Sequence, residues 1–195
     1  MMNGKTAFLA SALRKNLQVS PQRSYIEPSL LSTFQRILLT TNGTITDMIE
    51  AYSGEQIKLV KLSEEIINLE RDIPEMQLKK GDEVVERKIL LRGSISQRNY
   101  VYADSILVLD RLENNVREEL LNTKKPIGKV WVEQKVAIFK ENIDSGREVA
   151  SHLADYFQIQ PKENLIFRTY CVISNKQYTM MITEKFPESY FQRIF

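Results

Sequence analysis

Histidine and cysteine are nearly missing from this 195-residue chain: His152 and Cys171 are the sole representatives of their types. A lone thiol excludes an intramolecular disulfide framework and suits a reducing compartment, so a cytoplasmic location is expected. The same scarcity removes the common zinc sites, which draw on Cys and His, and no metal ligand set is assigned. It also leaves His152 as the only imidazole for a Ser-His-Asp triad. That histidine falls in residues 145–157, which read as an amphipathic helix, and a half-exposed helical histidine is the plainer account of it. Cys171 reads as a small buried hydrophobe within a strand.

An excess of one charge is lacking too. Lys and Arg number 27 against 25 Asp and Glu, and no dense basic stripe is visible, which argues against nucleic acid as a partner. No stretch approaches the ~18 apolar residues of a membrane span. The short apolar run after Lys5 ends at Arg14-Lys15 without a clean cleavage site, so it is not read as a leader. Repeats and low-complexity segments are likewise missing. What remains is an ordinary globular composition, 43% hydrophobic, long enough for one domain with a real core.

Residues 1–27 read as an N-terminal arm and residues 28–195 as that domain. Pro28 and Ser29 supply helix-start signals, and Leu30, Leu31, Phe34, Ile37 and Leu38 recur at helical spacing. Asn42-Gly43 breaks that helix. Thr44 is placed to cap a second one from Ile45 to Tyr52, which Gly54 stops. From Ile57 to Leu62 the period changes to two, as in a strand, and residues 63–81 read as a connection. Strands are predicted over 84–92 and 100–109, a helix over 110–122, a tight loop at 124–128 and a strand over 129–139. After the helix at 145–157, two strands over 165–174 and 177–186 are joined at Asn175-Lys176, a compact hairpin signal. Strands that neighbour each other along the chain do not suit a doubly wound fold. The pattern predicts an α+β domain with a roughly six-stranded antiparallel sheet and helices on one side.

Several charges stand on faces that should be buried. Val85, Arg87, Ile89 and Leu91 share one strand face, and Ile166, Arg168, Tyr170 and Val172 another; Tyr178, Met180, Ile182, Glu184 and Phe186 are predicted to share a third. An isolated buried charge is costly, so each of these needs a partner or a ligand. Either arginine pairing with Glu184 inside the sheet is one account, and a strand-end position reaching solvent is another. Three charges converging on one sheet face point to a third, a pocket for an anionic ligand, because a guanidinium fork grips a carboxylate. In the loop Lys124-Lys125-Pro126-Ile127-Gly128, Pro126 and Gly128 bracket a turn whose N–H groups either serve the turn alone or face such a carboxylate.

The segment Arg36-Ile37-Leu38-Leu39-Thr40-Thr41-Asn42-Gly43-Thr44-Ile45-Thr46 resembles the opening of the chorismate pyruvate-lyase family, particularly its archaeal and mycobacterial branch. Four further segments agree in order and spacing: Glu86-Arg87-Lys88-Ile89-Leu90-Leu91, Ala103-Asp104-Ser105-Ile106 through Asp110-Arg111-Leu112, Pro126-Ile127-Gly128, and Tyr170-Cys171-Val172-Ile173-Ser174 through Ile182-Thr183-Glu184-Lys185-Phe186. The resemblance implies a chorismate lyase-like fold and elimination of pyruvate from chorismate to give 4-hydroxybenzoate, with no cofactor. It implies that Arg87 and the backbone N–H of Ile127, beside Gly128, bind the ring carboxylate, and that Glu184 binds the hydroxyl across the ring. It further implies that Ile45 contacts the ligand from a helical flap beginning near Thr44-Ile45-Thr46, and that Arg168 and Tyr170 serve the pyruvyl carboxylate. Compared with the bacterial ubiquinone-pathway branch, an Arg-rich run is thinned to Arg168, and a Trp beside the strand arginine is missing. The partner implied is thus a small aromatic or cyclohexadienyl carboxylate, with a homo-oligomer compatible. The competing expectation is a carboxylate-sensing domain of the same fold, as found in transcription regulators. Such sensors follow a helix-turn-helix domain, for which the 27-residue arm is too short.

Overall fold

A computed structural model describes residues 26–122 and 125–192. Apart from Ile26 and Glu27, the expected N-terminal arm lies outside the described residues, as does Lys124. Six strands form one open antiparallel sheet: β1 (Ile57–Asn68), β2 (Glu83–Gly93), β3 (Asn99–Leu107), β4 (Phe139–Val149), β5 (Asn164–Ser174) and β6 (Gln177–Pro187). Their order across the sheet is β1-β2-β3-β6-β5-β4, so β1 and β4 are the edges and β3 pairs with β6 at the centre.

Helices α1 (Thr33–Thr40), α2 (Ile45–Ser53), α3 (Asn114–Asn122) and α4 (Ile127–Glu133) supply the apolar cover of one sheet face. The opposite face is closed by the single turn α5 (Ala154–Phe157) and by a 3-10 turn at Pro74–Met76. Among the described residues no helix is long and apolar enough to cross a membrane.

Local chemistry explains most of these elements. Ser32, rather than Pro28 or Ser29, starts the first α-helix: its hydroxyl accepts from Gln35 N while Gln35 Oε1 accepts from Ser32 N, a reciprocal capping box. Residues Pro28–Leu30 form a separate 3-10 turn, and Leu30 faces solvent. Gly54 ends α2 at φ 72°, a left-handed conformation that glycine adopts without a Cβ penalty. In the β5–β6 hairpin, Asn175 (φ 51°) and Lys176 (φ 63°) are both left-handed, the geometry that fits a two-residue connection to the twist of the strands.

The structure corrects four local expectations. The strand expected over 129–139 is instead α4, running Ile127–Glu133. A strand would bury Val130 with Val132, but Val130 and Trp131 are buried and Val132 is exposed, which is helical spacing. The helix expected from residue 145 begins only beyond Ala150, because residues up to Val149 stay in the ladder with β5. His152 lies on the exposed 3-10 turn that follows. Strand β1 runs on to Asn68, well into the expected connection. Finally, Tyr178 does not share the face of Met180, Ile182 and Glu184. A bulge places Val172 opposite Met180 and Ile173 opposite Tyr178, and the extra residue flips Tyr178 to the other side, where its hydroxyl meets Glu141.

Candidate active site

A cavity of about 640 Å³, its mouth included, lies between the helix-covered sheet face and helices α2 and α4. Its largely apolar wall with a few convergent charged groups suits a small organic ligand. The floor is contributed by alternate residues of five strands: Leu59 from β1; Arg87, Ile89 and Leu91 from β2; Ala103, Ser105 and Leu107 from β3; Ile182 and Glu184 from β6; and Tyr170 from β5. Lys140 of β4 closes the far side. Thr44, Ile45 and Thr46 at the start of α2 face Ile127, Gly128 and Trp131 of α4 across the top.

Arg87, expected on a buried face, is 3% exposed and lines this cavity. Its cross-strand neighbours are Glu64 on β1 and Ser105 on β3. Glu64 Oε2 stands 3.4 Å from Arg87 Nε, yet neither Nε nor Nη2 has a hydrogen-bond partner among the described residues. Burial pushes the guanidinium's pKa down, with Glu64 opposing, so a charged fork is held here at a cost. Glu64 also meets Lys61 Nζ at 2.5 Å, so its charge is shared.

Glu184 lines the same cavity and sits on β6 directly opposite Arg168 on β5. Arg168 Nε donates to Glu184 Oε2 at 2.7 Å, and the Tyr170 hydroxyl donates to Oε1 at 3.1 Å. Both carboxylate oxygens are therefore held. Burial and the charge of Glu184 push the Tyr170 phenol well above its ordinary range, which keeps it a donor. Of the two pairings open on sequence grounds, Arg168 takes Glu184 and Arg87 does not. Arg168 is 1% exposed, is not among the residues lining the cavity, and gives Nη1 to Thr41 O at 2.7 Å.

Ile45 and Ile127 stand at the first turns of α2 and α4, where backbone N–H groups have no partner within the helix. Thr44 holds the N-cap position of α2, but its side chain makes no capping bond. A Cβ on Gly128 would come within 2.6 Å of Thr44 Cγ2, so any larger residue there has to displace the Thr44 side chain.

Sequence reading did not single out Lys140, Ser105 or Trp131. Lys140 is 9% exposed and gives a 2.9 Å hydrogen bond to Gly43 O. Its ammonium lies 5.2 Å from the Tyr170 ring centroid and 5.7 Å from that of Trp131. Burial lowers its pKa to about 8, with Glu184 opposing and Arg168 reinforcing the shift. The signal that would have found it is strand β4 itself, which puts Lys140 opposite Val172 on the inward face. Ser105 was findable from the alternation Val101, Ala103, Ser105, Leu107 along β3.

The family described as Chorismate pyruvate-lyase Rv2949c-like matches residues 39–194. A chorismate pyruvate-lyase from Mycobacterium leprae is 30% identical over 158 residues, covering 80% of this chain and 75% of that one. Its counterpart from Mycobacterium tuberculosis is 28% identical over 162 residues, with 80% and 81% covered. Among solved structures, PhnF from Mycobacterium smegmatis superposes with a TM-score of 0.63 at 8% identity, covering 80% of this chain and 68% of that one. A ligand-binding domain of a GntR-family regulator from Bordetella bronchiseptica reaches 0.54 at 16% identity, with 67% and 84% covered. These likenesses establish the shared fold.

Proposed function

The chain belongs to the Rv2949c-like chorismate pyruvate-lyase family, and on that premise we propose that it eliminates pyruvate from chorismate to leave 4-hydroxybenzoate. The observation that carries this reading is Arg87: a buried guanidinium lining the cavity, ion-paired only at 3.4 Å with Glu64, with Nε and Nη2 lacking a hydrogen-bond partner among the described residues. Such a fork suits a ligand carboxylate, and a bidentate, charge-assisted contact would repay its burial. In the proposed complex the ring carboxylate meets Arg87 and the backbone N–H of Ile127. Glu184 then takes the hydroxyl across the ring, aimed by Arg168 and Tyr170. Ile45 and Gly128 close over the ring from above.

In this reaction the C3–O bond breaks, hydrogen leaves C4, and the enolpyruvyl methylene gains a hydrogen as pyruvate forms. Aromatisation of the ring drives it, so the chemistry calls for no redox partner and we assign no cofactor. The protein's contribution is to hold the enolpyruvyl group in a reactive pose, exclude water and stabilise charge on the departing oxygen. Glu184 either positions the C4 hydroxyl or assists the proton transfer. A cytoplasmic location belongs to the same proposal.

Incubation of the purified protein with chorismate, with pyruvate release followed over time, tests this. Turnover by the wild type is expected, and loss of turnover in folded Arg87→Ala and Glu184→Ala proteins. Full activity in either variant refutes the assignment. Binding of chorismate without turnover would favour a sensing domain of the same fold instead.

A further inference from the structure

Among the described residues two cations, Arg87 and Lys140, line the cavity, and the function proposed above occupies only Arg87. Lys140 stands on β4 and Arg87 on β2, four strand spacings apart, which is roughly 19 Å between backbones at ~4.8 Å per strand. Glu184 and Tyr170 lie on the strands between them. An ammonium carries three donors, and Lys140 directs one to Gly43 O. Among the described residues it forms no ion pair within 4 Å, and Glu184, the carboxylate that acts on it through space, is held by Arg168 and Tyr170. The rings of Trp131 and Tyr170 flank it and keep its charge within the cavity wall.

We propose that Lys140 is the binding site for a second carboxylate, so that the cavity selects rings bearing two: one at Arg87, the other on a side arm next to the hydroxyl held by Glu184. The inference rests on the function proposed above and names the residue that would hold the enolpyruvyl carboxylate. That role passes from Arg168, which does not line the cavity and whose Nε and Nη1 are committed to Glu184 and Thr41 while Nη2 lies buried without a hydrogen-bond partner among the described residues, to a side chain that lines the cavity. Lys140 also links this carboxylate to the flap, because it donates a hydrogen bond to Gly43, the residue before Thr44 and α2. A second carboxylate at Lys140 would therefore sit beneath the segment that closes the cavity.

The test compares two stable aromatic probes on the full chain by calorimetry: 4-hydroxy-3-methoxybenzoate, with one carboxylate, and 3-(carboxymethoxy)-4-hydroxybenzoate, with two. Losing a charge-assisted contact predicts that Lys140→Met weakens the dicarboxylate roughly 10- to 100-fold while the monocarboxylate changes less than about threefold. Binding of the monocarboxylate also shows that the variant is folded. Lys140→Arg keeps the preference for two carboxylates. An equal loss for both probes, or no loss for either, overturns the proposal. A wild type that prefers the dicarboxylate but releases no pyruvate from chorismate sinks the lyase reading and leaves this one standing. A wild type that binds neither probe sinks both.

Discussion

Replacing Arg87 by methionine separates the cost of this residue from its use. Without ligand, the substitution removes a buried guanidinium whose Nε and Nη2 lack hydrogen bonds among the described residues. It leaves Glu64 with Lys61 Nζ at 2.5 Å, so no charge is stranded. Methionine fills much of the same stem volume. Replacing a poorly paired buried charge by an apolar residue is commonly neutral or stabilising, so the unliganded variant should unfold within about 1 kcal/mol of the wild type, or slightly above it. With ligand the sign reverses. At 4-hydroxybenzoate concentrations ~100 times the dissociation constant, the wild type gains about 2.7 kcal/mol, which for a domain of this size is roughly 5–11 °C in melting temperature. Two charge-assisted hydrogen bonds are worth at least about 3 kcal/mol, so the variant binds at least ~100-fold more weakly. At the same concentration it is about half saturated and gains ~0.4 kcal/mol, near 1 °C. Differential scanning fluorimetry with and without 4-hydroxybenzoate reads both effects. A variant that keeps the full ligand-induced shift refutes the role of Arg87. One that melts 6 °C or more lower without ligand, an amount equivalent to about 1.5–3 kcal/mol, refutes the claim that the charge is held for binding.

Arg168→Met should cost about 3–5 kcal/mol in urea denaturation, because it strands the carboxylate of Glu184 in the sheet, and a neutral result would contradict the pairing. Gly128→Ala should lower turnover severalfold through the 2.6 Å approach to Thr44 Cγ2, and Thr44→Ser, which removes that methyl, should restore it; no rescue would count against the contact. The pH dependence of Lys140 follows from its pKa of about 8, below the ordinary 10.5. Between pH 8 and 10.5 the unfolded chain binds more protons at this residue, so its contribution to stability rises with pH there and is lost as pH falls through 8. Dicarboxylate binding runs the other way, weakening above pH 8 as the ammonium is lost. The groups facing Lys140 are Glu184 on β6, Arg168 and Tyr170 on β5, Trp131 on α4 and Gly43 before α2. Tyr170 stays neutral, since its phenol is raised, and Arg168 stays charged, since Glu184 and Tyr170 outweigh its burial. A flat stability difference between wild type and Lys140→Met across pH 7–10 would contradict this.

Periodicity located five of the six strands of the antiparallel sheet, the β5–β6 hairpin, and the inward faces that carry Arg87, Arg168 and Glu184. Alternation is a local property, and a charge among Val85, Ile89 and Leu91 is conspicuous before any packing is known. Residues 127–157 were misread because their pattern is ambiguous over short lengths. Val130, Trp131 and Val132 have strand composition, and only packing of Val130 and Trp131 against Val116 and Leu120 of α3 makes them helical. Strand β4 is an edge strand, and its extended form depends on pairing with β5, whose partner was not legible from spacing. Lys140 was missed with it.

Which charge meets which was decided by tertiary structure alone. Alternation places Arg87, Arg168 and Glu184 on inward faces but does not order the strands. The order β2-β3-β6-β5 sets Glu184 directly beside Arg168 and two strands from Arg87. Arg168 and Glu184 pair closely across adjacent strands, while Arg87, whose cross-strand neighbour Glu64 is shared with Lys61, is left facing the cavity. A strand's own residues determine the side on which a charge emerges; its neighbours determine whether that charge is satisfied or left for a ligand.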